Sequence, residues 1–183
     1  FELMGQTRDD AAGEAFDKVS KMLGLGYPGG PIIECLAKTK NPANIVFPRT
    51  LLEKGSFDFS FSGLKSSVAR YIHDNQIATE DEKAQIASSF QEAVIDVLSK
   101  KLIFAAQHKS CRHIGISGGV SANKTFVNKL TKKAKSEKID IFAPPAELCG
   151  DNAAMIAARG YTMIQQGQLC HLEHDVFSRT KIN

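Results

Sequence analysis

The stretch His113-Ile114-Gly115-Ile116-Ser117-Gly118-Gly119-Val120-Ser121-Ala122-Asn123 decides the fold. His113 to Ile116 is a short apolar strand, Ser117 to Val120 a glycine turn, and Ser121 to Lys135 a helix. Ile139 to Phe142 is a second strand, ending at Pro144-Pro145. Asp151 to Gln166 is an Ala-rich helix that Gly167 ends. Strand, turn, helix, strand, helix implies a parallel α/β layer, since parallel strands need a crossover between them. Ligands of such sheets sit beyond the carboxyl ends of the strands.

The chain before this stretch is mainly helical. Asp9 to Leu23 is amphipathic, with Ala12, Ala15, Phe16, Val19 and Leu23 on one face and Asp10, Glu14, Asp17 and Lys21 on the other. It stops at Gly24-Leu25-Gly26. Tyr27-Pro28-Gly29-Gly30-Pro31 is a tight turn, and Pro31 suits the first position of a second short helix, Ile32 to Ala37. Lys38 to Gly55, with Pro42 and Pro48, reads as irregular. Phe57-Asp58-Phe59-Ser60-Phe61 alternates and is a strand candidate, turned by Ser62-Gly63-Leu64-Lys65 into a helix that runs to about Asp74. Thr79 and Glu82 form a capping box that opens the longest helix, to about His108, with Ile86, Phe90, Val94, Val97 and Leu98 on its buried face.

With 183 residues, of which 43% are apolar and 23% charged, the chain reads as one ordinary globular unit, and its composition excludes a low-complexity or disordered class. A formal charge of +3 does not announce a nucleic-acid binder. Lysines cluster at Lys124, Lys129, Lys132, Lys133 and Lys135, for which a solvated helix face is the favoured reading. Cys35, Cys111, Cys149 and Cys170 are scattered without CxxC spacing, which fits free thiols in a reducing cytosol. No apolar run has the length of a membrane span, and no signal-peptide layout is present. A cytoplasmic protein without a membrane segment is expected. The opening Phe1-Glu2-Leu3-Met4-Gly5 lacks an initiator Met and reads as a cut inside a larger protein, or as a processed or partial chain.

Three clusters have residue types suited to chemistry, and each has a bland alternative. Gly118 and Gly119 between a strand and a helix let a ligand approach the backbone, with Asn123 placed for a ribose hydroxyl or a base edge. Ser121 or Asn123 fits equally as a helix cap. Asp151, beside Asn152 at the start of the last helix, suits a hard or borderline metal ion, or merely complements the helix dipole. His171 and His174 lie in a tail past Gly167, and His73, His108 and His113 show no ligand spacing, so no second ligand joins Asp151. Asp17 with Gly29-Gly30 and Glu34 suits sugar hydroxyls, or is a solvated helix face.

Five segments in order resemble the TsaD family, older names Gcp or YgjD, once called O-sialoglycoprotein endopeptidase. They are Asp9-Asp10-Ala11-Ala12-Gly13-Glu14-Ala15-Phe16-Asp17-Lys18, Tyr27-Pro28-Gly29-Gly30-Pro31, Phe59-Ser60-Phe61-Ser62-Gly63-Leu64-Lys65, Gly118-Gly119-Val120-Ser121-Ala122-Asn123 and Asp151-Asn152-Ala153-Ala154-Met155-Ile156-Ala157. The resemblance implies an α/β, helix-rich C-terminal lobe of an ASKHA fold (actin-like ATPase, RNase H-like) with helical insertions. It divides into a mainly helical portion over 1–110, an α/β portion over 111–170 and a tail over 171–183. It also implies a reaction, transfer of the threonylcarbamoyl group of threonylcarbamoyl-adenylate to N6 of the adenine next to the anticodon, in tRNAs reading codons that start with A. By motif position Asp17, Gly30 and Asn123, with Gly118 and Gly119, would hold the nucleotide. Glu34 stands where the family often has Asp. Asp151 would ligate the single Fe2+ or Zn2+ ion, and Lys65 is a candidate contact to substrate or tRNA. Implied partners are tRNA, threonylcarbamoyl-adenylate and subunits of the TsaB and TsaE type.

The departures bear on the site. The family's two metal histidines, in an HxxxH motif, and its SGGHT phosphate loop do not occur in this sequence. Gly150 replaces a Thr common before the Asp-Asn pair, and the tail lacks a basic Arg-Pro-Arg-like ending. The expectation is half of an active site, inactive by itself. A rival is a non-catalytic module that docks partner subunits or tRNA. A metalloprotease is disfavoured, because no HExxH helix is present.

Overall fold

The computed structural model describes residues 2–42, 45–50, 55–169, 171 and 173. Among them it has α1 (Ala12–Met22), α2 (Gly29–Ala37), α3 (Ser62–Asn75), α4 (Glu80–His108), β1 (His113–Gly115), α5 (Lys124–Ser136), β2 (Asp140–Phe142) and α6 (Ala153–Gln165). β1 and β2 pair in parallel, with Ile114 opposite Ile141. The α/β layer expected from the sequence is therefore present, and α5 is its crossover. It is small beside the helices.

α4 is the centre of the molecule. Thr79 Oγ1 accepts the Glu82 backbone N–H at 3.2 Å while the Glu82 carboxylate accepts that of Thr79 at 2.9 Å, so the capping box forms as its residues dictate. Ile86, Phe90, Val94 and Val97 are buried against α1, α2 and α3, while Ile95 is buried against Phe126 and Leu130 of α5. A helix covered on more than one side carries buried residues around its circumference, which is why α4 lacks a clean amphipathic stripe. Phe16 of α1 meets Phe90 edge to face, with ring centroids 5.1 Å apart. Ile33 of α2 and Leu64 and Val68 of α3 complete this core.

Several elements differ from their sequence readings; helix α1, read from Asp9, begins at Ala12. Among the described residues the Phe57–Phe61 segment pairs as one parallel bridge, Phe59 with Thr7, against the short Gln6–Arg8 run. The Phe61 N–H, which a strand would give to a neighbouring strand, goes instead to Asp9 Oδ1 at 2.8 Å. Helix α2 begins at Gly29 with Pro28 as its N-cap, so Pro31 falls later in its first turn. Helix α5 begins at Lys124, not Ser121. Gly119–Ala122 is a separate 3-10 turn, and Asn123 between them is the helix cap.

Helix α6 leaves its apolar side chains in solvent: Met155, Ile156, Tyr161 and Ile164 are all exposed. No helix among the described residues is long and apolar enough to cross a membrane. Cys35, Cys111 and Cys149 are free thiols. Cys170, His174 and most of the 171–183 tail lie outside the described residues, as do parts of the irregular 38–55 segment.

Candidate functional site

The site is built where the start of α2 meets the middle of α1. Gly29 is buried, and a Cβ on it would sit 2.6 Å from the Phe16 carbonyl oxygen and 2.7 Å from Asp17 Cα. Only glycine permits this approach. It brings the Gly29 N–H to Asp17 Oδ1 at 2.7 Å. The Asp17 carboxylate thereby satisfies one of the orphan donors of the α2 N-terminus and complements its dipole. Asp17 Oδ2 has no partner among the described residues.

Glu34, one turn along α2, does the same for α5. Its Oε1 accepts the backbone N–H of Lys124 at 3.0 Å and of Thr125 at 3.4 Å, with Lys38 Nζ 3.5 Å away. Glu34 Oε2 is likewise without a partner among the described residues. Asn123 supports the same helix end from within. Its Oδ1 accepts the Phe126 N–H at 2.9 Å, and its Nδ2 donates to Gln91 Oε1 of α4 at 2.7 Å.

These residues enclose one cavity of about 380 Å³, lined by Gly13, Phe16, Asp17, Pro28, Gly30, Pro31, Glu34, Gly119, Val120, Ala122 and Asn123. Two clusters separated by more than eighty residues in the sequence thus share a wall. Within it, a Cβ at Gly30 or Gly119 would meet no protein atom within 4 Å. Packing of the chain does not demand those glycines. Gly118 lies in an adjoining cleft that shares Gly13, Gly119 and Val120 with the first. Its φ of +85° and ψ of 168° fall in a region that only glycine occupies readily.

Two expected site residues stand apart. Lys65 Nζ forms an ion pair with Asp10 Oδ2, and Asp10 Oδ1 receives Lys18 Nζ at 2.8 Å. Its charge therefore ties the start of α3 to the entrance of α1. Asp151 is exposed and lines no part of the cavity. The cap of α6 is Asn152, whose Oδ1 accepts the Met155 N–H at 3.0 Å. No group of three His, Cys, Asp or Glu side chains suited to a metal ion occurs among the described residues.

Two supporting features were not singled out from the sequence. Gln91 sits between Phe90 and Ala93-Val94 on the buried part of the helix, and a Gln there has to find a partner. That was its signal. Asp9 gave none, because its partners Ser60 and Phe61 lie some fifty residues away. Burial pushes the Asp9 carboxyl up, but hydrogen bonds from Ser60, Phe61 and Ser62 outweigh it and hold the group below its usual range.

Fold and cavity together define a class: a helix-rich α/β lobe with a carboxylate- and glycine-lined cleft. Comparison with known proteins narrows it. The family model described as "TsaD: tRNA N6-adenosine threonylcarbamoyltransferase" matches residues 1–158. A protein of Desulforapulum autotrophicum named tRNA N6-adenosine threonylcarbamoyltransferase is 57% identical over 99% of this chain and 54% of its own length. Proteins of the same name from Clostridioides difficile and Desulfotalea psychrophila are 47% and 48% identical, each over 100% of this chain and 54% of their own length. The chain belongs to the TsaD family, and its small parallel sheet within a helix-rich α/β build is that of the C-terminal part of the family's actin-like fold. It spans about half the length of the curated relatives it matches.

Proposed function

We propose that the protein transfers the threonylcarbamoyl group of threonylcarbamoyl-adenylate to N6 of the adenine next to the anticodon of tRNAs reading codons that start with A, and that the cavity holds the adenylate's nucleoside. One observation carries this reading. Asp17 and Glu34 each have one carboxylate oxygen bound to a backbone N–H and the other free, in a cavity that Asn123 also lines. Anchored carboxylates with a spare acceptor suit ribose hydroxyls, which donate. Because the anchors are already formed, binding does not have to order these side chains. The glycines at positions 30 and 119, which the chain's own packing does not require, let a ring or sugar lie against the backbone. The names of the relatives support the transfer itself.

In the reaction the N6 amine forms a C–N bond to the carbamoyl carbon as that carbon's bond to the adenylate phosphate oxygen breaks. The electron pair leaves with AMP, and N6 gives up one proton. The residues on this chain position the leaving nucleoside. They hold it so that the acyl carbon reaches the amine in one orientation, an advantage of proximity more than of acid–base chemistry.

The metal fits only in part. Asp151 offers one exposed carboxylate, suited to one coordination position of a divalent ion, and the described residues gather no further ligands around it. Asp151 is proposed as one ligand of Fe2+ or Zn2+, the other ligands being two histidines of the kind the family carries in HxxxH. A bound metal of this type acts as a Lewis acid. Asp151→Ala in the full-length protein is expected to lose metal and transfer together; full metal occupancy in the variant would remove Asp151 from the ligand set.

The test of function is threonylcarbamoyl transfer to tRNA by the full-length protein with TsaB- and TsaE-type subunits. Asp17→Asn with Glu34→Gln is expected to raise KM for the adenylate at least tenfold. The stretch 1–183 alone is expected to give no turnover. Nucleotide binding without any transfer by the full-length protein would favour a docking module instead.

A further inference from the structure

We propose that Gln91 is a positioning residue that, together with the Phe126 N–H, fixes the amide of Asn123 so that the cavity is offered an N–H donor and never a carbonyl. The inference rests on the nucleoside reading of the cavity. It follows from a chain of obligations that starts at a backbone amide. The Phe126 N–H is one of the orphan donors at the start of α5, and it can only donate, so the atom of Asn123 facing it has to be the oxygen. The other end of the Asn123 amide, Nδ2, then faces Gln91. Because Nδ2 is a donor, Gln91 has to present Oε1, at 2.7 Å. Asn123 and Gln91 are 8% and 4% exposed, so neither has water as an alternative partner along this link.

The consequence concerns the ligand. Nδ2 carries two hydrogens, and one is used by Gln91. Asn123 lines the cavity, and its second N–H has no partner among the described residues. The cavity therefore combines two acceptors, on Asp17 and Glu34, with one donor, on Asn123. A nucleoside matches that pattern when its sugar hydroxyls meet the carboxylates and a ring-nitrogen acceptor of its base meets the amide. Without the Gln91 oxygen, Nδ2 is freed to turn away from the cavity, and the donor loses its fixed aim.

The experiment uses the full-length protein and three variants, with AMP as the probe, read by calorimetric titration and by thermal unfolding. Gln91→Met keeps the volume and removes the acceptor. It is expected to weaken AMP binding about tenfold, the scale of one well-placed hydrogen bond, with the melting temperature shifted by only a few degrees. Gln91→Glu keeps an oxygen facing Nδ2 and is expected to stay within about threefold of wild type. Asn123→Asp keeps the cap on Phe126 and removes both N–H groups, so it is expected to lose AMP binding at least as strongly as Gln91→Met. In transfer assays Gln91→Met should raise KM for the adenylate and leave kcat near the wild-type value, a split that a general loss of packing would not produce. Wild-type AMP affinity in Gln91→Met, or equal losses in Gln91→Met and Gln91→Glu, would overturn the inference while leaving the nucleoside reading in place. Absence of AMP binding by the wild type would overturn the nucleoside reading first, and this inference with it.

Discussion

Glu34 and Lys124 lie 90 residues apart in sequence, and the Glu34 carboxylate accepts the Lys124 backbone N–H at 3.0 Å. A helix end is thus capped by a side chain from another helix, and the two walls of the cavity are joined by the same bond. Asn123 caps the helix locally and Glu34 caps it from across the cleft. Stability of the cleft and shape of the site are consequently one property.

Removing that carboxylate should therefore cost stability as well as ligand. Glu34→Ala is expected to lower unfolding free energy by about 1–2 kcal/mol, the scale of a lost N-cap with its dipole interaction. Glu34→Gln retains an oxygen acceptor and is expected to lose less than half as much. Urea midpoints of the two variants check this, and equal losses would count against the cap.

The approach of α2 to α1 depends on a missing side chain. In Gly29→Ala the new Cβ would fall within 2.7 Å of the Phe16 carbonyl oxygen and of Asp17 Cα, both backbone atoms that cannot swing aside. The helices have to separate, at a cost of about 1–3 kcal/mol. The Gly29 N–H then leaves Asp17, so ligand affinity should fall together with the denaturation midpoint. An Ala variant of wild-type stability would refute this account.

Gly118 carries a different constraint. Its Cβ would meet nothing within 4 Å, but its φ of +85° is strained for any L side chain. Gly118→Ala is expected to cost about 1–3 kcal/mol through the backbone alone. Gly119→Ala, with negative φ and open space, is expected to be nearly neutral for stability. Comparing the two by thermal melting separates conformation from sterics.

Asp96 links the acid behaviour of the fold to its geometry. Burial raises its carboxyl pKa, but Lys133 Nζ at 2.8 Å and Arg49 Nε at 3.3 Å outweigh that and hold it below its ordinary value. A group depressed in the folded state stabilises above its unfolded pKa and loses that contribution as pH falls through the folded one. The Asp96 contribution is therefore fully present above about pH 5 and disappears on further acidification. Since the three side chains are 21–41% exposed, it amounts to no more than about 1 kcal/mol. Asp96→Asn should be less stable than wild type at neutral pH and converge with it in acid, measured by urea unfolding across the pH range.

Much of the secondary structure was legible because its causes are local. The Thr79 and Glu82 capping box and the glycine stop after α1 each act within one or two turns, and each formed as expected. The parallel order of β1, α5 and β2 was legible for the same reason. Phe57–Phe61 was misread because alternation reports a pleat but not whether a partner strand exists; here a short segment gave it one bridge. Helix α5 was started too early because two candidate caps, Ser121 and Asn123, compete within one turn. The Asn123 side chain reaches the Phe126 N–H, whereas Ser121 Oγ donates to the Gly118 carbonyl at 2.6 Å.

The site divides along the same line. The sequence by itself supplied the residue types, the family resemblance and the order of its motifs. It left Asp17, Glu34 and Asn123 suspended between binding and structural roles. The tertiary structure gave each of them a structural role and set all three at one cavity. One atom of each side chain holds a helix end, and the residue also lines the cavity. That division could not be read along the chain, because a hydrogen bond between α2 and α5, or between α4 and Asn123, depends on distances that only the packing of α1, α2 and α5 around α4 establishes.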